Sequence, residues 1–82
     1  MDGDELMEAI RDAARNVEKT LEFHVEYSPE NGPLREMVNE WLVPVIGGFL
    51  ADVRHFADAA GIDHATVIKQ SEVLYRKELS RS

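Results

Sequence analysis

Trp41-Leu42-Val43-Pro44-Val45-Ile46-Gly47-Gly48-Phe49-Leu50 is the stretch on which the fold turns. It holds ten residues without a charge, in a chain where 30% of residues are charged. Set at 100° per residue on a helix, its apolar side chains point in almost every direction, with Val43 and Leu50 opposite Trp41 and Val45. A helix apolar all round must be covered all round. Three helices of this size cannot enclose one of their own number. Either Pro44 and the two glycines redirect these side chains into one small core, or the stretch is a surface for self-association or a partner. The second reading is favoured, with Trp41, Val43, Ile46 and Leu50 as the interface residues. A membrane span needs about 20 apolar residues, so the run is too short to be one.

Downstream, the apolar positions Val53, Phe56 and Ala60 continue the spacing of threes and fours that begins at Leu34 and Val38. The pattern predicts a second helix from Pro33 to Ala60, with Pro33 as its first residue and a kink or break at Pro44. Gly61 is placed to end it in the left-handed conformation. Asp63 then caps a third helix from about His64 to Leu79, whose inner face would be Val67, Ile68, Ser71, Leu74, Tyr75 and Leu79.

Upstream, Ser28-Pro29-Glu30-Asn31-Gly32-Pro33 is a loop. Before it, Leu6, Ile10, Ala13, Val17, Leu21 and His24 fall on one stripe of a helix from about Asp4 to Val25. Asp2 with Glu5 resembles a capping box. No period-two alternation is sustained anywhere, so no strand is predicted. The expectation is one all-α domain: a small bundle of three helices, the first antiparallel to a second that is kinked or broken at Pro44, with Leu6, Ile10 and Val17 in its core. Self-association into a homo-oligomer, a homodimer in the simplest case, is part of the same expectation.

Composition narrows the function classes. Eighty-two residues allow one domain, and 44% of them are apolar. There is no cysteine, which excludes disulfides, zinc ribbons and thiol catalysis. The net charge of −7 opposes general binding to nucleic acid or anionic membranes. The acidic start Met1-Asp2-Gly3-Asp4-Glu5 has neither the basic residues nor the apolar run of a secretory signal, so a cytoplasmic protein is expected. His24, His55 and His64 form no pair at metal-binding spacing, and no phosphate loop, nucleophile elbow or dinucleotide fingerprint is present. No metal, cofactor or catalytic residue is predicted.

Glu18, Glu22 and Glu26 stack at four-residue spacing as an acidic ladder. As a surface charge run it keeps the protein in solution; as a functional face it steers a basic protein partner. The stretch Phe56 to Val67, with Ala57 four residues before Gly61 and Ile62 just after it, looks like a helix-turn-helix. Ala60-Gly61-Ile62-Asp63-His64-Ala65-Thr66-Val67 is similar to the turn and recognition-helix start of tetracycline-repressor-type regulators. That resemblance implies a DNA-binding regulator with Asp63, His64, Ala65, Thr66 and Lys69 facing the major groove. From Gly61 to Ser82 the charge is only +1, against −8 for the remainder. The favoured function is therefore a small acidic interaction or regulatory module, an adaptor or inhibitor in type, with the DNA-binding regulator as the alternative.

Overall fold

The computed structural model describes residues 3–80. Among them the chain forms three α-helices, α1 (Gly3–His24), α2 (Asn39–Ala59) and α3 (His64–Leu79), and no strand. Two 3-10 turns, Pro29–Asn31 and Leu34–Glu36, lie between α1 and α2. No described helix is long and apolar enough to cross a membrane. Asp2, the first half of the expected capping box, lies outside the described residues.

Two helix ends share one hydrogen-bond pattern. At the end of α2, Gly61 adopts φ 72°; its N–H donates to the Asp58 carbonyl (3.1 Å) and the Ile62 N–H to the Ala57 carbonyl (2.8 Å). This is the paired closure of a Schellman cap, which needs a left-handed residue and favours glycine. At the end of α1 the Tyr27 N–H donates to the Glu22 carbonyl (2.8 Å) and the Glu26 N–H to that of Phe23 (3.3 Å). The left-handed residue here is Glu26, at φ 54°. Its side chain opposes a conformation that the cap imposes.

The second helix starts later than its apolar spacing predicts. Pro33 caps the 3-10 turn Leu34–Glu36, Met37 and Val38 are extended, and α2 begins at Asn39. Leaving the α-helix here turns Leu34 inward, where it is 1% exposed and the most buried side chain among the described residues. It also brings Arg35 to Glu18: the Arg35 backbone N–H (2.9 Å) and guanidinium (2.7 Å) both donate to that carboxylate. Pro44 does not break α2. It stands in the second turn, so the carbonyl it leaves without a donor is that of exposed Glu40, which water can satisfy. Asp63 precedes α3 as predicted, but its carboxylate accepts the Thr66 hydroxyl (3.0 Å) in place of a backbone N–H.

The helices cross; they do not lie side by side. An antiparallel pair would set the end of α1 beside the start of α2. Instead His24 reaches the middle of α2, with its Nε2 2.7 Å from Asp52 and its ring edge-on to Phe49 at 5.2 Å. Tyr27 leans on Trp41 (5.9 Å) and its hydroxyl donates to the Gly32 carbonyl (2.8 Å), closing the loop. Leu21, Leu34 and Ala57 are the buried hydrophobic residues. The expected core of Leu6, Ile10 and Val17 is not built: the first two are half-buried and Val17 is exposed. The inner face expected of α3 is largely bare as well, since Ile68, Leu74, Tyr75 and Leu79 are all exposed and only Val67 is half-buried. A stripe is buried only where another element lies on it, and the crossing removes that cover.

Candidate interaction groove

The uncovered stripes meet. Ile10, Ala13, Val17 and Leu21 of α1, Leu42 and Ile46 of α2, and Tyr75 and Leu79 of α3 line one groove of about 450 Å³. Charged side chains are confined to Glu18, Arg35 and Glu78, and the first two neutralise each other. The walls follow from helical spacing: α1 contributes residues three and four apart, α2 a pair four apart, α3 another pair four apart.

The central decapeptide is sorted into three directions. Trp41 and Phe49 turn toward the end of α1, where Trp41 meets Tyr27 and Phe49 meets His24. Leu42 and Ile46 face the groove. Val43 and Leu50 point outward and stay exposed. Of the four residues expected at an interface, Ile46 thus lines the groove, Val43 and Leu50 lie exposed outside its lining, and Trp41 is half-committed to the packed corner. Apolar spacing placed Leu21, Tyr75 and Leu79 on inner faces, but their meeting along one groove required the crossing of the helices.

The acidic ladder is not uniform. Glu18 is half-buried and bound twice by Arg35, Glu22 is half-buried, and Glu26 is exposed in the turn beyond the helix. Around the Gly61 turn, Thr66 and Lys69 are exposed, whereas His64 is half-buried with a buried Nδ1 that meets no partner. Among the described residues, no three of His, Asp and Glu gather as metal ligands. No protein-family model, curated protein or solved structure matches this chain.

Proposed function

We propose that this chain is a small acidic interaction module that receives an apolar helix of a protein in the groove between its three helices. The groove carries the reading: all three helices supply its apolar walls, and two of its three charged residues, Glu18 and Arg35, are paired with each other. A helix with side chains is about 10–12 Å across, and an amphipathic helix laid in an apolar groove is a recurrent recognition mode. Glu22 and Glu26 remain as the charges that steer a basic partner, because Glu18 is held by Arg35.

The helix-turn-helix reading has the Gly61 turn in its favour, with Lys69 exposed on α3. Against it, His64 turns inward and the Thr66 hydroxyl is donated to Asp63.

Affinity capture with wild type and Val17→Glu side by side tests the groove. Val17 is exposed, so the charge should leave the helical circular dichroism unchanged. A protein retained by wild type and lost by this folded variant supports the reading. Identical capture by both overturns it. Duplex DNA held by wild type, released as salt rises and lost in Lys69→Ala, would move the function to α3.

A further inference from the structure

The geometry points to the occupant of this groove: a second copy of the same chain, seated through α2 in a two-fold dimer. This rests on the groove reading above and names its partner.

Surface area is the first support. The chain exposes 6702 Å² at a mass of 9.3 kDa. A compact monomer of that mass exposes about 5,000 Å². The surplus of about 1,700 Å² lies within the roughly 1,000–2,500 Å² that each subunit of an obligate homodimer buries. The radius of gyration agrees, at 14.9 Å against about 12 Å for a compact chain of this length. A small ligand filling the groove would cover only a fraction of that surplus.

The second support is a seam on α2. Val43, Ile46, Leu50, Val53 and Ala57 alternate threes and fours, the apolar repeat by which helices pair. Cover along this seam is graded. Ala57, near the α3 turn, is 4% exposed and Val53 is half-buried, but Leu50 is 50% and Val43 66% exposed. The chain's own helices cover one end of the seam and leave the other bare. Gly47 borders the bare end, and a Cβ built on it would meet nothing within 4 Å. Glycine inside a helix is destabilising, so its presence there gains a purpose if another backbone approaches closely.

Charge permits a like partner at this run. From Trp41 to Ala51 the chain has no ionisable side chain, although its net charge is −7. Along this run two acidic copies can meet without opposing carboxylates. A two-fold contact uses the same patch on both chains, and Ile46 belongs both to the seam and to the groove wall.

Sedimentation equilibrium on the full chain tests this, together with a cysteine placed in a chain that has none. Wild type at micromolar concentration should weigh about twice 9.3 kDa. Leu50→Glu should raise the dissociation constant roughly 100-fold or more. Should that variant unfold, Gly47→Cys still decides. Near a two-fold axis its sulfurs come within disulfide reach, so mild oxidation should give a covalent dimer, while Asp12→Cys on the outer face of α1 should not. A wild type monomeric up to about 100 µM overturns the proposal; if Val17→Glu still loses a captured protein, the groove reading survives with a different occupant. A dimer insensitive to Leu50→Glu and not cross-linked at position 47 overturns the assignment to α2.

Discussion

The two halves of α1 carry the same apolar stripe and meet opposite fates. In its last turns Leu21 is buried, His24 spans to Asp52 and Phe49, and Tyr27 packs on Trp41 just beyond. Nearer its start, Ile10 and Val17 face an unfilled groove. Amphipathicity nominates a face for burial, but a neighbour must arrive to bury it. At the closed corner the neighbour is the 34–38 segment, which leaves helical geometry to deliver Leu34. At the open half α2 and α3 reach the groove walls, but no described residue covers Val17.

The largest test of this contrast is Leu34→Ala. Removing a fully buried leucine should cost about 2–5 kcal/mol in urea unfolding, enough to threaten a domain of this size. Val17→Ala should cost less than about 0.5 kcal/mol in the dilute chain, and more at concentrations where the groove is covered. Equal costs in the dilute chain would mean that the two halves are not different.

The helix caps give the next test. Gly61→Ala places a Cβ in a left-handed residue and should destabilise by about 1–2 kcal/mol, whereas Glu26→Gly removes one and should stabilise by up to about 1 kcal/mol. Opposite signs in thermal melts are required, since both positions have positive φ and the same hydrogen-bond pattern.

Tyr27→Phe deletes the hydroxyl bond to Gly32 and keeps the ring on Trp41. A loss of about 1 kcal/mol, with the Trp41 emission maximum unchanged, would place that bond within the closed corner. The smallest effects separate the acidic residues. Glu18→Ala should cost about 1 kcal/mol through its two bonds from Arg35. Glu22→Gln should stay within about 0.5 kcal/mol. Equal values would restore the picture of one uniform ladder.

What could be read from the chain follows this division. The stripe of α1, the left-handed Gly61 and the bounds of α3 are set by residues within a few positions of each other, through helical spacing and cap geometry. The groove walls were half legible: Ile10, Leu21, Tyr75 and Leu79 carry inward spacing, yet spacing does not say whether anything lies opposite. The α2 seam from Val43 to Ala57 was present as a repeat of threes and fours, hidden because the surrounding decapeptide is apolar in nearly every direction.

By itself, then, the amino-acid order determined three helices and no strand among the described residues, an acidic composition and an uncharged central run, because backbone preference and side-chain period act over one or two turns. Tertiary structure alone decided that Leu34 leaves the helix, that Glu18 is claimed by Arg35, that Glu26 takes a conformation suited to glycine, and that α1 crosses α2 with a groove left beside it. Those outcomes depend on which residues distant in sequence meet, and there burial and paired hydrogen bonds outweigh the few tenths of a kcal/mol by which local preferences differ.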